Sequence, residues 1–222
     1  MKKNAVALLL ILCTAFAIGA PKAIYYVHTG MALPLSPTFL KDAYTQGFNV
    51  GLMVGMRFNP RIELQGAFAL NNCAFDNQGF GGTLDELQAW KKKNTGVEPM
   101  YNVDGNATNA WNLFVNAKLI FPPKEGGKVE SYFFAGGGLF GLKQGQISAT
   151  DSEIDAKEVF PGHEKTIAEK SETVLGVNFG IGIDVLLEEH TNFYVQLGPT
   201  IGFTKGDPTV IVPITFGVSI RP

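Results

Sequence analysis

The chain has 222 residues, 45% of them hydrophobic, with a formal charge of -2, 26 glycines and two cysteines. That length suits one domain, and the slightly acidic balance gives no electrostatic reason to expect a nucleic-acid partner. Cys13 lies in the opening segment, so Cys73 has no intrachain disulfide partner once that segment is removed, and a large sheet or core has to supply the stability.

Residues 1–17 have the parts of a secretory signal peptide. Lys2 and Lys3 are the positive start, residues 5–12 form an apolar run, and Ala15-Phe16-Ala17 is a small-x-small site for cleavage after Ala17. A cut after Ala20 is the alternative, but it puts Ile18 at the third position before the cut and Pro21 just after it. Leu12 before Cys13 is too large for a lipoprotein site. Cleavage after Ala17 leaves residues 18–222 as one domain and takes the formal charge from -2 to -4. No later segment has the 18 or so apolar residues of a spanning helix; if the mature chain lies in a membrane, only a closed barrel satisfies its backbone there.

The remaining elements read as strands. The first, about 24–33, places Val27 and Met31 on one face and His28 on the other. In 48–58, Phe48, Val50, Leu52, Val54, Met56 and Phe58 alternate with Asn49, Gly51, Met53, Gly55 and Arg57. Asn59-Pro60 is a turn signal, and in 61–71 Ile62, Leu64, Gly66, Phe68 and Leu70 oppose Arg61, Glu63, Gln65, Ala67, Ala69 and Asn71. From 111 to 120, Trp111, Leu113, Val115, Ala117 and Leu119 oppose Asn112, Phe114, Asn116 and Lys118. Gly136-Gly137-Gly138 blurs the phase of 129–143, where Tyr132, Phe134, Phe140 and Leu142 are assigned to the outer face.

The last three strands alternate most regularly. Leu175, Val177, Phe179, Ile181, Ile183 and Val185 oppose Gly176, Asn178, Gly180, Gly182 and Asp184; Phe193, Val195, Leu197, Ile201 and Phe203 oppose Tyr194, Gln196, Gly198, Thr200 and Gly202; Val210, Val212, Ile214, Phe216, Val218 and Ile220 oppose Ile211, Thr215, Gly217 and Ser219. Period two over ten or more residues is a long strand, the length that crosses a hydrocarbon layer at a tilt. The minor face is small and polar, fit for a narrow lumen. The expected fold is therefore all-β: an eight-stranded antiparallel up-and-down transmembrane β-barrel, apolar parity toward lipid. Links 34–47, 76–110, 144–171 and 205–208 fall on the outer side and the shorter links 59–60, 121–128 and 188–191 on the periplasmic side, the asymmetry of such barrels. Pro199 and Pro213 each remove a ladder donor and call for a local bulge.

Arg57, Arg61, Glu63, Lys118, Glu130, Asp184 and Arg221 fall inward or near the periplasmic rim. Opposite charges are expected to pair across the lumen as a structural network of Arg57, Arg61, Glu63, Lys118, Glu130 and Asp184, because an unpaired buried charge is too costly. The other reading of these charges is a selective pore. Phe48, Phe58, Trp111, Phe193, Phe203 and Phe216 read as membrane-interface aromatics. Trp90 sits in a helical stretch, 84–91, of the second outer link.

No catalytic motif emerges. His28, His163 and His190 fall in three separate regions and do not converge on a metal; no HExxH, CxxC or phosphate loop occurs. His163 with Ser148, Ser152 and Glu164 is the one place for a serine hydrolase site, and the acidic run Asp151, Glu153, Asp155, Glu158 lacks the glycine and spacing of a calcium loop. No enzyme activity, cofactor or metal is expected.

Gly47-Phe48-Asn49-Val50-Gly51, the run Phe58-Asn59-Pro60-Arg61-Ile62-Glu63-Leu64, Ala135-Gly136-Gly137-Gly138 and the final Phe216-Gly217-Val218-Ser219-Ile220-Arg221-Pro222 resemble the bacterial outer-membrane β-barrel superfamily of OmpA-like N-terminal domains and OmpX-like small barrels. The resemblance implies residence in the outer membrane, contact with its lipids and lipopolysaccharide, and delivery by the barrel-insertion machinery. It also implies structural, adhesive or small-solute roles, with a surface partner meeting links 76–110 and 144–171. Members usually end in an aromatic residue, whereas the sequence here ends Ile220-Arg221-Pro222, and no peptidoglycan-binding domain is expected after the barrel. A structural or surface-interaction barrel is the leading expectation; a narrow pore or carrier for small or hydrophobic solutes is the alternative. A soluble ligand-binding barrel would reverse the parity.

Overall fold

The computed structural model describes residues 23–76, 92–93, 96, 101–123, 126–151 and 164–221. The hairpins at one end begin with β1 (Ala23–Ser36), β2 (Gly47–Asn59) and β3 (Ile62–Cys73), and α1 (Thr38–Ala43) lies between the first two. There follow β4 (Tyr101–Gly105), β5 (Thr108–Phe121), β6 (Val129–Gln144), β7 (Ile147–Asp151), β8 (Glu164–Ile167), β9 (Lys170–Glu188), β10 (Thr191–Leu197), β11 (Thr200–Gly202) and β12 (Thr209–Ile220). Neighbours pair antiparallel in the order β1-β2-β3-β5-β6-β9-β10-β12, with β11 continuing the line of β10 between β9 and β12. β12 returns to β1 over a register from Tyr25↔Ile220 to Ser36↔Val210. The result is a closed, up-and-down barrel of eight staves, as the alternation predicts.

Closure removes both sheet edges, and the alternation decides which face meets lipid. Val27, Leu52, Val115, Leu175, Phe179, Ile181, Phe203 and Phe216 all lie on the outside, with Leu175 67% exposed. A continuous apolar belt of this extent would not be tolerated in water and is the outer wall of a barrel in a membrane. Tyr26, His28, Asn49, Gln65, Asn112, Asn116 and Tyr194 point inward and are buried.

β6 has the opposite phase from the one its sequence suggests. Tyr132, Phe134, Phe140 and Leu142 are 3%, 7%, 0% and 6% exposed, inside the barrel, while Phe133 and Leu139 face out. The reason is volume. Gly182 and Gly180 of β9 stand opposite Tyr132 and Phe134, and a Cβ added at Gly182 would run into the Tyr132 ring and one at Gly202 of β11 into the Phe140 ring. The aromatics of β6 fill the space that those glycines leave, so apolarity on this strand marks filling of the lumen rather than contact with lipid.

Pro199 and Pro213 share one discontinuity. The β10–β12 ladder stops at Leu197↔Ile214 and the β11–β12 ladder starts at Thr200↔Ile211, so Gly198 and Pro199 lie across from Pro213 and Val212. The N–H groups the prolines lack fall where the ladder is already interrupted, and the Pro199 carbonyl still accepts from Phe179 N at 3.4 Å.

The α1 segment lies at one end, and the short turns between β2 and β3, β5 and β6, and β9 and β10 lie at the other with Ala23 and Ile220. β4, β7 and β8 form a three-stranded sheet in the order β4-β7-β8 that belongs to the long second and third outer links. Among the described residues no helix is long and apolar enough to cross a membrane. Trp90 and the stretch 84–91 lie outside the described residues.

Candidate functional site: a lumen filled in three layers

The outer mouth is closed by apolar packing. Leu40 and Ala43, three apart on the inner face of α1, are 1% and 0% exposed and pack with Tyr44, Phe114, Phe140, Leu142 and Ile211. The link is stitched to its neighbours: Thr45 N donates to Ala74 O at 3.0 Å, Asp76 N to Ala43 O at 2.9 Å, and the Tyr44 hydroxyl to Gly145 O at 3.4 Å. The Tyr44 and Phe75 rings meet edge to face at 5.9 Å. The sequence marks 34–47 only as an outer link. Its one signal is Pro37 followed by apolar residues at helical spacing, Phe39, Leu40 and Ala43.

Below it lies a polar layer. Asn49 Nδ2 donates to Asn71 Oδ1 at 2.7 Å and to Leu70 O at 3.4 Å. His28, Asn112, Asn116, Asn178, Gln196, Thr200 and Thr215 surround a cavity of about 40 Å³, space on the order of three water molecules. His28 Nδ1, Asn49 Oδ1, Asn116 Oδ1 and Asn178 Oδ1 have no protein hydrogen-bond partner, and groups so buried need water or its equivalent.

The short-turn end carries the charges. The register sets Arg57 opposite Glu63, Glu63 opposite Lys118, and Glu130 opposite Asp184. Lys118 Nζ reaches across the lumen to Asp184 Oδ2 at 2.7 Å, both side chains 1% exposed, and lies 3.7 Å from the centre of the Tyr132 ring. Arg57 grips Glu130 with two bonds, 3.3 and 2.8 Å, and lies 3.6 Å from Glu63. Glu63 accepts from the Tyr26 hydroxyl at 2.5 Å and from Gln65 Nε2 at 2.8 Å. Arg221 approaches Glu130 at 3.6 Å. Tyr26 and Tyr194 pack edge to face at 5.5 Å beside this cluster.

Of the residues singled out from sequence, Arg57, Glu63, Lys118, Glu130 and Asp184 therefore come together. Arg61 does not: it is an exposed residue of the turn between β2 and β3, because that hairpin is so short that position 61 is already beyond the ladder. The tyrosines were missed as members. Tyr26 shares its parity with His28 on β1, which would have placed it inward; Tyr132 was lost with the phase of β6. Phe48, Phe58, Phe203 and Phe216 are exposed on the outer wall, and Trp111 and Phe193 are half-buried on it. Tyr25, Phe121 and Phe133 add exposed rings near the short-turn ends of their strands.

His28 lies in mid-lumen and His190 in a periplasmic turn; Ser152 and His163 lie outside the described residues, as do Glu153, Asp155 and Glu158. Among the described residues no group of three or more His, Cys, Asp or Glu could hold a metal ion.

The family described as outer membrane protein beta-barrel domain matches residues 5–219. The chain belongs to that family. Its place is accordingly the bacterial outer membrane, with the apolar belt against lipid and the short turns toward the periplasm. Among solved structures, Neisserial surface protein A is similar at 11% identity, covering 92% of this chain and 99% of its own, with a TM-score of 0.54. A major outer membrane protein of Thermus thermophilus is 14% identical, with coverage of 90% and 99% and a TM-score of 0.48. The N-terminal β-barrel domain of Pseudomonas aeruginosa OprF is 12% identical, covering 90% and 99%, with a TM-score of 0.46. At these identities the first likeness speaks for the fold alone. Comparison with curated protein sequences gives no match.

Proposed function

We propose that this member of the outer membrane barrel family is a structural or surface-interaction protein without catalytic activity, whose outer links 76–110 and 144–171 meet lipopolysaccharide or a neighbouring surface. The observation that carries this reading is the obstruction of the lumen over its length: apolar plug, polar layer, then ion pairs wedged between tyrosines. A path for solutes would have to displace α1 and then separate Lys118 from Asp184. In planar bilayers the purified, folded protein is expected to give no discrete current steps; reproducible unitary openings would overturn the reading in favour of the narrow pore or carrier. That second reading draws on the mid-lumen cavity, whose unpaired polar atoms are a way-station that a small hydrogen-bonding solute could use.

The lumen cluster of Arg57, Glu63, Lys118, Glu130 and Asp184 is proposed to be structural, and Phe48, Phe58, Trp111, Phe193, Phe203 and Phe216 to mark the membrane interfaces. Residues 1–17 are proposed as a signal peptide, with the barrel-insertion machinery receiving residues 18–222. Mass analysis of protein recovered from the outer membrane is expected to give Ile18 as the first residue. An intact Met1 would reject cleavage, and Pro21 would move it to the site after Ala20.

A further inference from the structure

The lipid-facing wall is not uniformly smooth. Near the periplasmic ends of β5, β6, β9 and β10 it is recessed into a groove of about 370 Å³ around Ser131, bounded by Phe121, Phe133, Ile181, Ile183, Val195 and Leu197. Two adjacent rungs build it. Phe121 pairs with Ser131, Ser131 with Ile183 and Ile183 with Val195; one rung further in, Phe133 pairs with Ile181 and Ile181 with Leu197. All of these side chains share the outward parity. Phe121 and Phe133 meet edge to face at 5.6 Å and form a stiff bank. Ser131 is exposed between large neighbours, so the floor of the recess lies over its small side chain.

We infer that this groove holds one acyl chain of a phospholipid from the periplasmic leaflet, with the Ser131 hydroxyl donating to an ester carbonyl of that lipid. Three observations select this occupant. The groove is continuous with the belt that faces the membrane, and its volume of about 370 Å³, against about 40 Å³ for the mid-lumen cavity, gives room for a stretch of acyl chain. Ser131 lies two residues from the start of β6 at Val129, close to the short-turn end, and thus at the level where hydrocarbon gives way to the glycerol esters. Lipopolysaccharide occupies the opposite leaflet. A hydroxyl facing hydrocarbon also needs an acceptor, and an ester carbonyl at that depth supplies one. Retention here comes from packing rather than from the hydrophobic effect, since a lipid tail outside the groove is equally far from water.

Native mass spectrometry of the full folded chain tests this, with protein taken from detergent micelles holding phosphatidylethanolamine, phosphatidylglycerol and lipopolysaccharide. The wild type is expected to keep one phospholipid at collision energies that strip detergent. Ser131→Leu, which removes the hydroxyl and projects an apolar side chain the wall tolerates into the recess, is expected to lower the retained fraction roughly tenfold, equivalent to about 1.4 kcal/mol. Thr29→Leu, which removes an outward hydroxyl from β1 away from the groove, is expected to leave retention unchanged, and heat-modifiable gel mobility verifies that both variants are folded. Retention of no phospholipid by the wild type, retention of lipopolysaccharide or a second copy of the chain instead, or equal loss in the two variants would overturn the assignment.

Discussion

Lys118→Met is expected to destabilise the folded barrel by about 3–5 kcal/mol, the usual cost of breaking a buried ion pair on one side. The carboxylate of Asp184 would then be left 1% exposed without its cation; its Oδ1 already lacks a partner. Asp184→Leu leaves an ammonium instead, with the Tyr132 ring 3.7 Å away and the Tyr26 ring 5.3 Å away to hold part of its charge, so its cost should fall at the lower end of that range. The double variant Lys118→Met/Asp184→Leu removes both charges together and is expected to recover most of either loss. Urea unfolding in lipid vesicles, followed by heat-modifiable mobility, measures all three. Additive losses in the double variant would show that the pair is not coupled. The Arg57–Glu130 pair, with side chains 18% and 22% exposed, is nearer to solvent, and Glu130→Gln should cost less, about 1 kcal/mol.

The same contrast shows what a sequence discloses about such a barrel. Alternation is enough where one parity is apolar and the other small or polar, as in Phe193, Val195 and Leu197 against Asn192, Tyr194 and Gln196, and the strand order then follows from hairpin connections. It is not enough on β6, where Tyr132 and Phe134 compete with Phe133 across three successive glycines. There the phase is set by partners: Lys118 and Asn116 of β5 on one side, Gly180 and Gly182 of β9 on the other, which fix Phe134, Gly136 and Tyr132 inward through the ladder. Likewise charge identity singled out Arg57, Glu63, Lys118, Glu130 and Asp184, but which carboxylate meets which cation depends on reach across the lumen, from β5 to β9 and from β2 to β6. Arg61 carries the right charge at the rim, but it lies in the turn one residue past the β2–β3 ladder, where parity no longer sets direction. The plug formed by α1 gives only a weak signal because six residues carry little periodicity, and its stability comes from the ring of strands it enters.

Phe140 offers the test of that inward phase, and the expected effect is comparable in size. It is 0% exposed beneath Leu40 and beside Gly202 and Gly176, so Phe140→Ala should open a cavity and cost about 3–5 kcal/mol. A ring on the lipid-facing wall, where acyl chains fill the space, would lose far less. Gly202→Leu attacks the same contact from the other side: its Cβ would fall on the Phe140 ring, and overpacking of this kind costs about 1–3 kcal/mol or more. Combining the two lets the leucine occupy the volume the ring vacates. The double variant is therefore expected to be more stable than Phe140→Ala alone, with a coupling of about 1 kcal/mol or greater, read by urea unfolding in vesicles as for the ion pair. Strict additivity, or a Phe140→Ala loss below about 1 kcal/mol, would mean that the glycines of β9 and β11 and the aromatics of β6 do not complement one another. The volume argument for the reversed phase would then fail, while the closed ladder, which rests on backbone pairing, would stand.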